Sequence, residues 1–212
     1  MRNIIFIAPP AAGKGTQSNL LKEHFGYIHI STGDLLRAEI ASGSKLGMEV
    51  KNIIDKGNLV SDDLMIDIIQ NKLTGIKGKP FILDGFPRTL NQAKVLDEIL
   101  DDDYEVIYLE LDKEDAIKRI EGRLTCSCGK SYNLNDEELK PKITGICDNC
   151  GKKLVKRDDD NVDAFIIRYD NFLNNTKVLV DYYNNKNKLH IDDVNRNIND
   201  IFNDISRIVA ND

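Results

Sequence analysis

Three groups of residues have types and spacings that could do chemistry. The first is Ala8-Pro9-Pro10-Ala11-Ala12-Gly13-Lys14-Gly15-Thr16, directly after an apolar run and ahead of a helical pattern. That order suits a phosphate-binding loop. Successive backbone N–H groups from Ala11, Ala12, Gly13, Lys14, Gly15 and Thr16 converge on phosphate oxygens at the positive end of a helix. Lys14 can then reach the outer phosphates of a bound polyphosphate, and the Thr16 hydroxyl can sit near Mg²⁺. The plain alternative is a strand-to-helix turn capped by a threonine. Two positions depart from the motif: Ala8 stands at its first glycine, and Ala11 at another position that is commonly glycine. If either needs a left-handed backbone, alanine costs ~1 kcal/mol or more there. No proline falls between Ala11 and Thr16, so the N–H donors are intact.

The second group is a set of arginines at the ends of strand or helix patterns: Arg37, Arg88, Arg119, Arg123, Arg157 and Arg168. Moving a phosphoryl group between two polyanions needs fixed positive charge more than acid–base residues. Arginine suits that task because its planar fork grips phosphate oxygens in pairs and keeps its charge. The third group is Cys126, Cys128, Cys147 and Cys150, which fall within 25 residues of an otherwise cysteine-free chain. Cys147 and Cys150 have the C-x₂-C spacing of a zinc knuckle, whereas Cys126 and Cys128 are one residue short of it. Four free thiols, or an opportunistic disulfide, are the alternative. A disulfide framework for the whole fold is excluded, because it needs cysteines spread along the chain.

These groups hang on an alternation of short apolar runs and helical patterns. Buried strands are expected at Asn3–Ala8, Tyr27–Ile30, Pro80–Leu83 and Tyr104–Leu111, with a weaker one at Lys188–Ile191. Helical patterns cover Lys14–Phe25, a stretch opened by Ser31-Thr32-Gly33-Asp34, Asp62–Leu73, Leu90–Leu100, Lys113–Glu121, Val162–Tyr183 and Val194–Val209. Such alternation predicts an α/β fold with a mostly parallel sheet. The 122–159 segment breaks the rhythm and reads as an insertion held by something other than an apolar core.

Of 212 residues, 41% are hydrophobic and 30% charged, too apolar for a disordered chain. The net charge of −6 gives no global field for nucleic acid, and the early apolar stretch is too short for a membrane span or secretory signal. The expectation is a cytoplasmic, monomeric protein without nucleic-acid or membrane partners.

Ser31-Thr32-Gly33-Asp34-Leu35-Leu36-Arg37, Asp84-Gly85-Phe86-Pro87-Arg88-Thr89 with Gln92, and Gly122-Arg123 resemble the signature stretches of the adenylate kinases. The resemblance covers essentially the whole chain, and the cysteine-bearing insertion is similar to the family's long-lid, zinc-binding type. It implies a P-loop NTPase-like five-stranded parallel sheet flanked by helices. The core would be 1–30, 62–121 and 160–212, with a helical NMP-binding insertion at 31–61 and a small lid at 122–159. It also implies Mg²⁺-dependent conversion of ATP and AMP to two ADP, serving adenine-nucleotide homeostasis.

Carried over from the family, Lys14, Arg88, Arg123, Arg157 and Arg168 would be catalytic. Arg119, Arg123, Ser131, Tyr132 and the turn at Asn195 would complete the ATP site, although Asp193 stands where that turn has a glycine. AMP would meet Thr32, Arg37, Asn58, Leu59, Val60, Gly85, Phe86, Pro87, Arg88, Gln92, Arg157 and Arg168. Asp84 would organise Mg²⁺ through water, Asp158 and Asp159 would orient the lid's arginines, and the four cysteines would hold a structural Zn²⁺. His24, His29 and His190 match no role and read as structural or exposed. A UMP/CMP or broad-specificity kinase of the same fold is the nearest alternative, against which Thr32 argues. A nucleotide-gated zinc-ribbon binding module that has lost the chemistry is the alternative of another class.

Overall fold

The computed structural model describes residues 1–56, 58–76, 78–100, 103–157 and 160–210. In chain order its first half comprises β1 (Asn3–Ile7), α1 (Lys14–Phe25), β2 (Ile28–Ser31), α2 (Thr32–Ala41), α3 (Lys45–Ile54), α4 (Asp62–Thr74), β3 (Phe81–Asp84) and α5 (Leu90–Leu100). The second half comprises β4 (Tyr104–Glu110), α6 (Lys113–Gly122), β5 (Arg123–Thr125), β6 (Ser131–Asn133), α7 (Val162–Asn171), a π-helical turn (Phe172–Thr176), α8 (Val178–Asn185), β7 (Leu189–Asp193) and α9 (Ile198–Ala210).

Side chains of β1 alternate between two cores, which is why its sequence is apolar throughout. Ile5 and Ile7 pack with Ile69 of α4, Leu96 of α5 and Leu179 of α8, while Ile4 and Phe6 pack with Leu21 of α1, Ile120 of α6 and Ile205 of α9. Among the described residues the large sheet has the order β2-β3-β1-β4-β7, with every pairing parallel. This is the five-stranded parallel sheet expected from the sequence. The connections turn one way from β1 to reach β2 and β3, and the other way to reach β4 and β7. The crevice at the carboxyl end of β1 is therefore the topological switch point, where α/β sheets bind ligands.

The helical pattern at 162–183 is not one regular helix. Lys177 N–H donates to Phe172 O, five residues back, and opens the π turn between α7 and α8. Phe165 and Tyr169 ahead of the turn belong to one core, and Phe172, Leu179 and Tyr183 to the other. The turn thus lets one helical rod cross from one face of the sheet to the other.

Two excursions leave the sheet. After β2, helices α2 and α3 pack so tightly that a Cβ on Gly47 would lie 2.4 Å from Glu39 O. After α6, the antiparallel β5–β6 hairpin carries a small cluster of Cys126, Tyr132, Cys147 and Leu154 with Leu124 against it. Gly122 at that junction is required by close approach, since a Cβ there would meet Asn133 Oδ1 at 2.1 Å. Among the described residues, no helix is long and apolar enough to cross a membrane.

Candidate active site

The loop after β1 delivers Lys14 as the first residue of α1, capped by Gly13 at φ +92°. Ala11 adopts φ +67°, so the strain expected there is present, whereas Ala8 is not among the left-handed residues. The Lys14 ammonium arches back over the loop, with Nζ 3.4 Å from Ala8 O and 3.3 Å from Pro9 O. Burial lowers its pKa to about 8; Asp84 opposes that shift, and Arg88, Arg168 and Arg123 reinforce it. Asp84, at the end of β3, feels the opposite balance. Burial disfavours its charge, but a 3.3 Å contact with His29 Nε2, together with Lys14 and Arg88, holds its carboxyl below the usual carboxylate range. Among the hard oxygen donors that suit Mg²⁺, the cleft wall offers this carboxylate and the Thr16 hydroxyl.

On one side of Lys14 the same cleft is walled by Thr32, Arg37, Asn58, Leu59, Val60, Gly85, Arg88 and Gln92. Thr32 Oγ1 donates to Gly85 O at 3.1 Å, and Arg88 Nε donates to the same carbonyl at 2.8 Å. Gly85 has φ +88°, and a Cβ there would sit 2.5 Å from Thr32 Oγ1, so this crossing of chains excludes any side chain. Arg37 is held by Asp34 at 2.6 Å. Phe86 does not reach the wall but is buried in the core, and Pro87 lines a smaller adjoining cavity behind Arg88.

On the other side lie Arg119, Arg123, Ser131, Tyr132, Arg157 and Arg168. Arg123 makes a forked pair with Asp160, whose side chain is fully buried, and Arg168 lies 3.7 Å from the same carboxylate. A buried carboxylate is tolerable only when paired in this way. Asp158 and Asp159, the expected orienting residues, lie outside the described residues; Asp160 takes that geometry. Arg119 Nη2 donates to Val194 O at 2.6 Å. Asn195 is not brought to the cleft. Asp193, standing in place of a glycine, accepts from its N–H at 2.9 Å, and its side chain is tied to Asp115 at 2.8 Å. Arg196, anchored by Asp192 and Asp204, lines the wall instead. His29 and Arg196 are charged or polar wall residues that the sequence reading did not assign, and Asp160, buried behind Arg123, is a supporting residue it also did not assign. His24 packs on Phe202 and His190 pairs with Glu105, away from the cleft.

The four cysteine sulfurs lie within 4.8 Å of one another. Cys126 and Cys150 Sγ are 3.4 Å apart, and Cys128 and Cys147 Sγ 3.6 Å, near the ~3.8 Å edge of a tetrahedron of thiolates around zinc. The short half-site absorbs its missing residue in the turn. Gly129 N–H donates to Cys126 O three residues back, whereas Gly151 N–H donates to Cys147 O four residues back. Both glycines are left-handed, at φ +92° and +71°, so two loops of different length present their sulfurs to one point. The Tyr132 hydroxyl donates to Cys147 Sγ at 3.4 Å and lowers that thiol to about 6, while hydrogen bonds with the neighbouring sulfurs push Cys150 up to about 12, so the four sulfurs share protons as one cluster. The residues therefore fit a four-thiolate metal.

Cations grouped on two sides of one phosphate loop are what a P-loop enzyme needs when both of its substrates are polyanions, which is the class of the nucleotide kinases. The sequence profile of the adenylate kinases matches residues 6–188. The adenylate kinase of Thermosipho africanus is 47% identical over 194 residues, covering 88% of this chain and 89% of its own. Those of Methanosarcina mazei and Clostridium tetani are 43% and 41% identical, each covering 98% of both chains. The chain belongs to the adenylate kinase family, enzymes of phosphoryl transfer between ATP and AMP.

The strain at Ala11 can be measured. Replacing Ala11 with Gly relieves ~1 kcal/mol of left-handed strain and returns part of it as unfolded-chain entropy. Urea unfolding should therefore show Ala11→Gly stabilised by roughly 0.5 kcal/mol; destabilisation would contradict the assigned backbone.

Proposed function

We propose that the cleft catalyses reversible, Mg²⁺-dependent transfer of the γ-phosphoryl group of ATP directly to a phosphate oxygen of AMP, yielding two ADP without a phosphoenzyme. The observation that carries this reading is the grouping of Lys14 with Arg37, Arg88, Arg119, Arg123, Arg157 and Arg168 along one continuous cleft that Asp84 also lines. The new P–O bond to AMP forms as the bond from the γ-phosphorus to ADP breaks, so the protein has charge to stabilise and little proton transfer to perform.

In this reading the loop N–H groups of 11–16 and Lys14 hold the ATP phosphates, and Arg119, Ser131 and Tyr132 flank its nucleoside. Arg37 and Arg88 hold the AMP phosphate, while Thr32, Gln92 and the 58–60 backbone bound its base and sugar. Arg123, Arg157 and Arg168 close on the transferring group, and Asp160 keeps Arg123 and Arg168 aimed until it arrives. Asp84, through water, and Thr16 would hold Mg²⁺, which when bound supplies charge neutralisation across the phosphate oxygens. Residues 31–61 act as the AMP-binding unit and 122–159 as a lid whose closure excludes water, protecting the γ-phosphate from hydrolysis. Cys126, Cys128, Cys147 and Cys150 would hold Zn²⁺, which supplies folding free energy to a segment with a five-residue apolar cluster. With four thiolate ligands no position is open for a catalytic water, so its role is structural.

A coupled assay of ADP formation with AMP, UMP, CMP and GMP as acceptors tests the reaction. AMP is expected to give the highest kcat/KM, and no turnover with MgATP and AMP would refute the reading. Metal analysis of purified protein is expected to find about one zinc per chain, lost with any Cys→Ser change among the four. A fully folded, metal-free lid would refute the zinc assignment.

A further inference from the structure

Gln92 lines the cleft yet is only 2% exposed, and both ends of its amide are already engaged. The Arg88 backbone N–H donates to Gln92 Oε1 at 2.7 Å, and Gln92 Nε2 donates to Asp62 Oδ1 at 2.8 Å. A backbone N–H can only donate and a carboxylate can only accept. These two partners therefore permit a single orientation of the amide. Turning it over would set its NH₂ against the Arg88 N–H and its carbonyl oxygen against the Asp62 carboxylate. Asp62 is itself fixed, because its Oδ2 accepts from Thr89 Oγ1 at 2.8 Å and from Asn91 Nδ2 at 3.2 Å. A glutamine amide has two N–H groups and two lone pairs. One of each is used within the protein, leaving one donor and one acceptor in a fixed order.

We infer that Asp62 is a specificity-determining positioning residue, which locks the Gln92 amide so that the site accepts a 6-aminopurine monophosphate and rejects a 6-oxopurine one. The inference rests on Gln92 contacting the base of the monophosphate. Adenine presents an amino donor at C6 beside a ring-nitrogen acceptor, and hypoxanthine presents a carbonyl acceptor beside a ring N–H donor. A freely turning amide satisfies either pattern by rotating about its last bond. A locked amide satisfies one, and the other base leaves buried donors facing donors. Asp62 opens α4 and Gln92 lies in the first turn of α5, so a residue 30 positions away in sequence sets what the reader can read.

The experiment compares AMP with IMP, which differ at the 6-position, as acceptors at saturating MgATP. In Asp62→Asn the new side chain can accept or donate, so only the Arg88 N–H still orders the amide and the lock is weakened. The AMP:IMP ratio of kcat/KM is expected to fall about tenfold or more, the scale of one paired hydrogen-bond readout, with the KM for ATP within about twofold of wild type. Asp62→Ser should behave alike, and Asn91→Ala, which removes a partner of Asp62 without freeing Gln92, should keep the wild-type ratio. A parallel fall in both rates with the ratio preserved would reduce Asp62 to a structural role and overturn the proposal. Gln92→Leu separates the two levels. If it leaves the ratio intact, the base-contact reading fails and the proposal with it. If it collapses the ratio while both Asp62 variants keep it, only the lock fails. Should the Asp62 variants not fold, the wild-type protein decides: one exchange-protected Gln92 side-chain ¹H–¹⁵N pair supports the lock, and two sets of signals overturn it.

Discussion

Lys14, Arg88, Arg123 and Arg168 lie close enough to act on one another's charge before any polyanion arrives. This concentration of positive charge is the constraint on which the other features of the cleft depend. The chain as a whole carries a net charge of −6, so the field is local and the repulsion within it must be met locally. Two carboxylates meet it. Asp84 sits beside Lys14 and Arg88 on the β3 side, and Asp160 sits fully buried between Arg123 and Arg168 on the lid side. Burial, with a smaller share from the repulsion that remains, shows in the lowered pKa of Lys14. An enzyme that stabilises a transferring phosphoryl group by preorganised charge spends folding stability to assemble that charge, and substrate binding returns it.

The fold is arranged to place those charges. The switch point of the sheet puts the phosphate loop, Asp84 and the Gly85–Arg88 segment at neighbouring strand ends, each on a short connection from a buried strand. The lid side is built differently. Arg123 opens the β5–β6 hairpin, whose loop carries Cys126 and Cys128, and Tyr132 on the return strand donates to Cys147. A metal holding the four thiolates would therefore anchor both ends of the hairpin that presents Arg123 and Tyr132 to the cleft.

Much of this was legible in the sequence because it is local. The run from Asn3 to Thr16 contains strand, loop and helix in the order the phosphate loop requires, and the apolar strands declare themselves by burial on both faces. What was not legible depends on distant pairings. Phe165, Tyr169, Phe172, Thr176, Leu179 and Tyr183 keep a regular helical spacing, so nothing in the pattern marks the π turn at 172–176. The sequence reading names Asp158 and Asp159 as orienting acids, which lie outside the described residues; that Asp160, next in the same run, is enclosed is shown only by packing. At the turn after β7, the Asp193 carboxylate accepts from the Asn195 N–H and Arg196 lines the wall, pairings that depend on side chains the sequence pattern does not order. The C-x-C half-site looked short of a ligand position, but a tighter glycine turn recovers the convergence of the sulfurs.

The central claim is that Lys14 is buried among like charges in the free enzyme and relieved by the ATP phosphates. Its pKa of about 8 must then rise when ATP binds, so binding takes up a proton wherever the free lysine is partly neutral and ATP is already fully deprotonated. Calorimetric titration with ATP at pH 8.5–9, repeated in buffers of different ionisation enthalpy, measures that uptake directly. The account predicts uptake of a large fraction of one proton at pH 8.5–9, little from Lys14 near pH 7, and none at either pH in Lys14→Arg beyond what ATP itself contributes. An observed heat independent of buffer at pH 8.5–9 would contradict it.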